Sequence, residues 1–195
     1  MTITTAKRFT IAEYHRLAEL GFFGEDERVE LIKGELFQMP AKGTQHSTFN
    51  RRLIRELSRL LGDRATIQSQ DPVVIPNNSE PEPDIAILRN REDDYLDAHP
   101  NPSDVLLLIE IADSSLKYDQ EVKLPIYAEG GISDYWIFNL VDNFLEFYSE
   151  PYQVQGKFGY RRKLIFLPHE SVNLPFFPDL VIHLSKVFPQ VKHQA

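Results

Sequence analysis

The chain has 195 residues, of which 42% are hydrophobic, a formal net charge of -8 at pH 7 and no cysteine. This size and composition predict one compact domain over residues 1–195, and they exclude disulfides, thiol catalysis and cysteine-ligated metal sites. No apolar run is long enough to span a bilayer and the first residues lack the apolar core of a signal peptide, so we expect a cytoplasmic protein with no membrane partner.

Along the chain, segments whose hydrophobic residues have the spacing of a strand are interspersed with segments that have the spacing of a helix. The predicted strands, each apolar or alternating and bounded by turn residues, are 28–32, 35–39, 65–75, 85–88, 105–109 and 134–140. The predicted helices, each with apolar residues at helical spacing, are 11–20, 45–61 and the segment that follows Asp119 as its N-cap. Lys33 and Gly34 form a two-residue hairpin turn, and Pro72 marks its strand as irregular or at a sheet edge. Pro125 is expected to kink the last helix or to restrict its regular hydrogen bonding to the ends.

The order of these elements predicts a mixed sheet. The strands on either side of the last helix imply a right-handed crossover between parallel neighbours. Aromatic-rich strands beyond residue 142 then extend the sheet in antiparallel fashion. Residues 180–188 form a final strand or a short helix. We expect residues 1–7 and 189–195 to be frayed.

Two carboxylates and a lysine are predicted to converge at one edge of this sheet. Asp84 directly precedes the strand 85–88, Glu110 follows the strand 105–109, and Lys123 lies in the helix after them. A charge on a core strand must be paired, neutralised or bound to a metal, because burying it alone is too costly. Two carboxylates can hold a hard divalent cation while an ammonium group stabilises charge or orients the attacking water. Hydrolysis of a phosphodiester is the natural reaction of such a site.

Four further polar residues have both a functional and an ordinary interpretation. His46 lies in the first turn of the second helix, where the dipole favours a neutral imidazole that could ligate a metal or accept a proton; a surface histidine is the alternative. Glu30 is expected to be an exposed strand glutamate. Glu80 and Glu82 precede Asp84 on one face of an extended chain. One of them could approach a metal, but we expect the intervening prolines to keep both exposed.

The chain resembles the PD-(D/E)xK nuclease superfamily and, within it, the Uma2-type (DUF820) endonucleases of bacteria. The blocks that carry the resemblance cover most of the chain and are 30–35, His46, 80–84, 109–111, 123–128 and 131–136. The resemblance implies a single α/β domain of the restriction-endonuclease-like type, with a mixed central β-sheet flanked by helices. It also implies an endodeoxyribonuclease that depends on Mg²⁺ or Mn²⁺, has DNA as its partner and can work as a homodimer.

The resemblance also implies the roles of individual residues. The cation would be held by Asp84, Glu110 and the backbone carbonyl of Ile111, and Lys123 would orient or help to deprotonate water. In the same comparison Glu30 and His46 would support the metal site.

One position departs from the superfamily pattern. The pattern expects a lysine two residues after the acidic residue, and this chain has Ala112 there. The resemblance implies that the lysine has moved to the following helix, where Lys123 stands. Lys117 is the other candidate.

The departure at Ala112 and the acidic net charge motivate an alternative function. A catalytically weak or inactive nuclease fold could instead bind nucleic acid or protein, and phosphate contacts would need clustered basic residues. The basic clusters, which are equally well explained as solvated faces, are Arg51, Arg52, Arg55 and Arg59 in the second helix and residues 161–163. A carboxylate pair that acts without metal, as in glycosidases, is a third hypothesis, weakened by the apolar setting of both strands.

Overall fold

A six-stranded mixed β-sheet organises the computed structural model, which describes residues 5–24 and 27–188. The helices, in chain order, are α1 (Ile11–Glu19), α2 (Thr44–Leu61), α3 (Leu116–Tyr118) and α4 (Leu124–Glu129). A π-helical segment (Asp119–Lys123) joins α3 to α4, and 3-10 turns lie at Gly62–Arg64 and Leu184–Lys186. The strands are β1 (Val29–Ile32), β2 (Glu35–Gln38), β3 (Thr66–Gln68), β4 (Ile85–Leu88), β5 (Val105–Ala112), β6 (Asp134–Asn139), β7 (Phe144–Val154), β8 (Lys157–Phe166), β9 (Ser171–Leu174) and β10 (Phe177–His183).

The strands of the central sheet follow the order β3-β4-β5-β6-β7-β8. The pair β5 and β6 is parallel because the crossover through α3 and α4 returns the chain to the same end of the sheet, and the other neighbouring pairs are antiparallel. Two separate two-stranded ribbons are formed by β1 with β2 and by β9 with β10. The predicted crossover, the antiparallel extension and the edge position of β3 are confirmed.

The apolar core lies on both faces of the sheet. On one face Phe49, Leu53 and Leu57 of α2 belong to a cluster with Trp136 and Phe138 of β6, and the rings of Phe49 and Phe138 are 5.0 Å apart. On the other face α4 packs against alternate residues of the same strands. Every residue of β4 and β5 is buried, which explains why these strands are continuous apolar runs rather than alternating ones.

The hairpin between β1 and β2 turns at Lys33 and Gly34, as predicted. Both residues have positive φ, 49° and 77° respectively, as this class of two-residue turn requires. A Cβ atom on Gly34 would lie 2.7 Å from the Cβ of Arg8 and 2.8 Å from the carbonyl oxygen of Phe9. The turn therefore accepts only glycine without a local rearrangement.

The helical part of the crossover differs from the prediction at its start. Asp119 is not an N-cap, because the helix begins at Leu116 and Asp119 lies inside it, where it accepts a hydrogen bond from Ser115 Oγ at 2.7 Å. The irregularity predicted at Pro125 is present as the π-helical segment directly before it, in which the N–H of Leu124 donates to the carbonyl of Asp119. Such wide turns often occur at functional sites.

Two segments are less regular than the sequence predicts. Only three residues of 65–75 form a strand, and the region 180–188 contains both predicted alternatives, the end of β10 followed by a 3-10 turn. The prediction of frayed ends falls largely on residues 1–4 and 189–195, which lie outside the described residues. In the part of the chain that is described, no helix combines the length and the apolar character needed to cross a membrane.

Candidate active site

Asp84 and Glu110 meet between neighbouring strands. Asp84 directly precedes β4, Glu110 lies in β5, and the two strands pair through Ile85 and Ile109. The backbone N–H of Asp84 donates to Glu110 Oε2 at 3.3 Å, and the backbone N–H of Ile111 donates to Asp84 Oδ2 at 2.9 Å. Both carboxyl groups are buried. The structure thus brings Asp84, Glu110 and Ile111 together at the predicted edge.

Of the two candidate lysines, only Lys123 lies at these carboxylates. Its Nζ is 2.9 Å from Glu110 Oε1 and 3.0 Å from Glu30 Oε1, and it donates to the carbonyl of Glu82 at 3.2 Å. The side chain is 2% exposed. The side chain of Lys117 is 83% exposed and faces a carboxylate one helical turn away. Lys123 lies in the π-helical segment with its side chain buried, whereas Lys117 faces solvent, so the geometry favours Lys123 as the candidate.

Glu30 belongs to the same buried cluster. Besides contacting Lys123, it accepts hydrogen bonds from the backbone N–H of Glu82 and from the hydroxyl of Tyr118, both at 3.3 Å. It is 1% exposed, so the expectation of an exposed strand glutamate is wrong. Burial is tolerated here because an ammonium group from a distant part of the chain pairs with the carboxylate.

His46 lies against Asp84 rather than at the surface. Its Nε2 is 2.8 Å from Asp84 Oδ2, and the residue is 7% exposed. Its Nδ1 is buried without a hydrogen-bond partner among the described residues. The alternative of an ordinary surface histidine is therefore wrong, since the first turn of α2 points the ring into the site.

Glu80 and Glu82 are not the exposed pair that the sequence predicts. Glu80 is 2% exposed and lies 2.8 Å from His15 Nε2, away from the carboxylate cluster, whereas Glu82 pairs with Arg28 at 2.8 Å at the site. The prediction assumed a regular extended chain, in which alternate side chains share a face. The chain between Glu80 and Asp84 is irregular and outside any strand, so the two glutamates diverge.

Three further residues lie at the site without having been predicted from the sequence as functional. Lys42 Nζ lies 3.2 Å from Asp84 Oδ1, and the hydroxyl of Tyr127 donates to Glu110 Oε1 at 2.9 Å. Asp119, taken for a cap, faces the same cluster. Tyr127 stands in the block 123–128 that carries the family resemblance, which could have identified it. Lys42 lies in a loop whose pattern contains no such signal.

The surroundings of Asp84 favour its charged form. Burial alone would raise the pKa of this carboxyl, but the hydrogen bond from His46, the charge of Lys42 and the N–H of Ile111 together hold the pKa below its ordinary value. Asp84 therefore has the charge that a metal ligand needs.

The other acidic groups are less easily ionised. Burial, reinforced by neighbouring carboxylates, raises the pKa of Glu110 well above its ordinary value despite the opposing charge of Lys123. Burial likewise raises the pKa of Asp119 to about 6. Burial alone would lower the pKa of Lys123, but Glu110, Glu30 and Asp119 hold it well above its ordinary value, so its ammonium stays charged. Carboxyl groups outnumber cations here, an imbalance that a bound cation would relieve.

These groups surround a small cavity of about 50 Å³. The residues that line it are Arg28, Glu30, residues 39–43, His46, Glu82, Asp84, Glu110, residues 113–115, Asp119 and Lys123. Within residues 5–24 and 27–188, no three His, Asp or Glu side chains form a ready metal cage. The donors nevertheless suit Mg²⁺ or Mn²⁺, because such ions bind through one or two carboxylates and complete their shell with waters and substrate phosphates.

Comparison with known proteins agrees with this architecture. The model of the Uma2 family, described as "Putative restriction endonuclease", matches residues 11–185. The fold is similar to the crystal structure of "a putative nuclease belonging to DUF820" from Anabaena variabilis ATCC 29413, with a TM-score of 0.70, 16% identity, and coverage of 92% of this chain and 97% of that one. No curated protein matches the sequence. The restriction-endonuclease-like α/β class and the family resemblance are confirmed, and the chain belongs to the Uma2 family.

Proposed function

We propose that this protein is an endonuclease that depends on a divalent cation and hydrolyses phosphodiester bonds of DNA at the cavity around Asp84 and Glu110. The nuclease class follows from the family. The observation that supports the chemistry is the pair of buried carboxylates, each accepting a hydrogen bond from a backbone N–H of the neighbouring segment, with Lys123 against one of them.

Asp84, Glu110 and the backbone carbonyl of Ile111 would hold Mg²⁺ or Mn²⁺. A cation bound there would lower the pKa of a bound water and polarise an oxygen of the phosphate. These effects lower the free energy of the transition state by several kcal/mol. The protein's part is to fix the donors. His46 holds Asp84 through Oδ2, while Lys123 and Tyr127 hold Glu110 through Oε1. Ligands oriented in this way by neighbouring groups are a general feature of metal sites.

The DNA would approach along α2. This helix begins beside the site with His46, and Arg51 and Arg55 are exposed along it. The basic residues 161–163 are also exposed, but they lie on β8, three strands beyond β5, which is about 15 Å at roughly 4.8 Å per strand. The arginines of α2 are therefore the better candidates for phosphate contacts close to the scissile bond.

The first test is the substitution Asp84→Asn, assayed on supercoiled and linear DNA with Mg²⁺ or Mn²⁺ and with a chelator control. We expect cleavage to fall by about a thousandfold or more, because the amide loses the charge that binds the cation. The fold should remain, as measured by circular dichroism, since the amide can still accept hydrogen bonds. Asp97→Asn, in an exposed loop, is the matched control and should cleave like the parent. Full activity of Asp84→Asn would contradict the proposal.

A second candidate function is a nuclease fold that binds nucleic acid without cutting it. It is favoured by Ala112, which is fully buried where the superfamily pattern has a lysine. Salt-dependent binding to DNA with no turnover in any cation would support it. Chelator-sensitive cleavage would exclude it.

A further inference from the structure

Three cationic side chains line the cavity and each has an anionic partner in the protein, but only Lys123 has as many partners as it has N–H donors. The ammonium of Lys123 has three N–H donors, and it has three partners within 3.2 Å: Glu110 Oε1, Glu30 Oε1 and the carbonyl of Glu82. With 2% of its side chain exposed, Lys123 cannot turn to a substrate without breaking a buried ion pair, which is strongly unfavourable. Arg28 pairs with Glu82 at 2.8 Å.

Lys42 is placed differently. It lies in the short segment before α2, its side chain is 21% exposed, and its Nζ is 3.2 Å from Asp84 Oδ1. No other hydrogen bond or ion pair holds its ammonium in the described part of the chain. Lys42 is therefore the lysine at this cavity with donors free to reach a ligand that enters from solvent.

The oxygen that Lys42 contacts is the one left for a cation. Asp84 Oδ2 already contacts His46 Nε2 and the backbone N–H of Ile111, at 2.8 and 2.9 Å. Oδ1 has Lys42 as its partner, so a divalent cation that binds this oxygen would meet the ammonium at close range. Two cations on one carboxylate oxygen repel each other, which favours departure of the ammonium.

We propose that Lys42 is a catalytic residue of this site, whose ammonium leaves Asp84 Oδ1 when that oxygen binds a cation and then contacts a phosphate oxygen of the nucleic acid. The proposal rests on the proposed function. The lysine stem has four flexible carbons and the ammonium acts as a compact point charge, which suits an exchange between two anionic partners. In this arrangement Lys123 is a positioning residue, which holds Glu110 and Glu30, and Lys42 touches the substrate.

The test compares the parent with Lys42→Met, which keeps most of the length of the side chain and removes its charge. In titration calorimetry without nucleic acid, we expect Lys42→Met to bind Mn²⁺ about fivefold more tightly, because no ammonium competes for Asp84 Oδ1. In cleavage assays at saturating Mn²⁺, we expect kcat to fall by about a hundredfold, the scale of losing one charge-stabilising donor. Tighter binding of the cation together with slower cleavage is a combination that a structural role would not produce.

A third readout needs no turnover. Binding of a fluorescent DNA duplex in Ca²⁺, measured by anisotropy over a range of salt, should be weaker for Lys42→Met. The slope of log affinity against log salt should decrease by about 0.9, the value for one lost phosphate contact. Lys42→Arg, which keeps the charge, should restore much of the cleavage and leave Mn²⁺ affinity near that of the parent. Lys117→Met, on the exposed side of the neighbouring helix, should change none of the three measurements.

The outcomes separate this proposal from the proposed function. Parent-like cleavage by Lys42→Met, or weaker Mn²⁺ binding, would overturn the assignment of Lys42. If this happens while Asp84→Asn abolishes cleavage, the nuclease proposal stands and only Lys42 is wrong. If the parent neither binds Mn²⁺ nor cleaves DNA, both proposals are wrong.

Discussion

The ammonium of Lys123 is surrounded by carboxylates that come from separate parts of the sequence. Glu30 lies in β1 and Glu110 in β5, and both are within 3.0 Å of Nζ. Taking each charge out of water is costly, so the cluster is stable only as long as every member keeps its partners. Each charge in the cluster depends on the others. Removal of one should therefore lower the free energy of unfolding by more than the lost contacts alone, because its former partners stay buried without compensation.

Lys123→Met should therefore destabilise the fold as well as impair the site. We expect the free energy of unfolding to fall by about 3–5 kcal/mol, because Glu30 and Glu110 lose their neutralising partner in a buried place. Urea unfolding followed by tryptophan fluorescence measures this loss, and Trp136 supplies the signal. The double variant Lys123→Met/Glu110→Gln should recover part of it, since one uncompensated carboxylate is gone. Lys117→Met is the matched control, and a loss equal to that control would show that the buried cluster contributes little.

At the scale of elements, the turn between β1 and β2 positions Glu30. The turn has no room beyond a hydrogen atom at Gly34, where an added Cβ would collide with Arg8 and with the carbonyl of Phe9. Gly156, at the tip of the β7–β8 hairpin, has the same φ of 77° and nothing within 4 Å of such a Cβ. A comparison of alanine substitutions at the two glycines thus separates the cost of backbone strain from the cost of a steric clash.

Gly34→Ala should be clearly more destabilising than Gly156→Ala. For Gly156→Ala we expect a loss of about 1 kcal/mol from the positive φ alone. For Gly34→Ala we expect about 2 kcal/mol or more, because the clash adds to the strain, together with reduced cleavage as β1 and Glu30 shift. Thermal unfolding of both variants provides the measurement. Equal losses would mean that Arg8 and Phe9 move aside at no cost.

The π-helical segment is the second element that shapes the site. It carries both Asp119 and Lys123, which are buried. An uninterrupted α-helix with Pro125 in its interior would lack one hydrogen bond and suffer a clash with the preceding turn. The wider turn accommodates the proline and changes the direction of the residues before it. The same local irregularity therefore accounts both for the tolerance of Pro125 in this helix and for the burial of the Lys123 side chain.

At the scale of the whole molecule, the net charge of -8 is unevenly distributed. Six acidic residues line the cavity: Glu30, Glu82, Asp84, Glu110, Asp113 and Asp119. A bound divalent cation would offset part of this charge, while the exposed arginines of α2 lie outside it. An acidic chain can thus carry exposed basic side chains close to its most acidic cavity. The single domain, the homodimer and the cytoplasmic location stay predictions.

Global stability should depend on pH through Asp134 at the start of β6. Burial raises the pKa of this carboxyl from 3.8 to about 6. The folded protein therefore retains a proton between about pH 4 and 6 that the unfolded chain has released, so the free energy of unfolding falls as pH rises through this window. Asp134→Asn should reduce this fall, to which Asp119 also contributes, and gain about 1 kcal/mol on the parent near pH 7, after allowance for partial exposure. Urea titrations at several pH values measure it, with Asp97→Asn as control. Parallel profiles for the parent and Asp134→Asn would contradict the assignment.

Features that depend on neighbouring residues were predictable from the sequence. The hairpin at Lys33 and Gly34 follows from turn chemistry, and β4 and β5 follow from apolar runs that are bounded by charges. Because Asp84 and Glu110 adjoin those apolar runs, they were recognisable from the sequence as candidate site residues. The order of strand and helix indicated Lys123 and the helix start indicated His46, whereas only the family resemblance gave Glu30 a role.

Features that depend on distant partners were not predictable. Glu30 is buried because Lys123 reaches it across the fold, and Glu80 is buried beside His15 for the same kind of reason. Asp119 has the local signature of a helix cap, yet it lies within a helix, and Lys42 has no signature at all. Local propensity is a matter of a few adjacent residues, whereas the burial of a charge is decided by which opposite charge the folded chain brings to it.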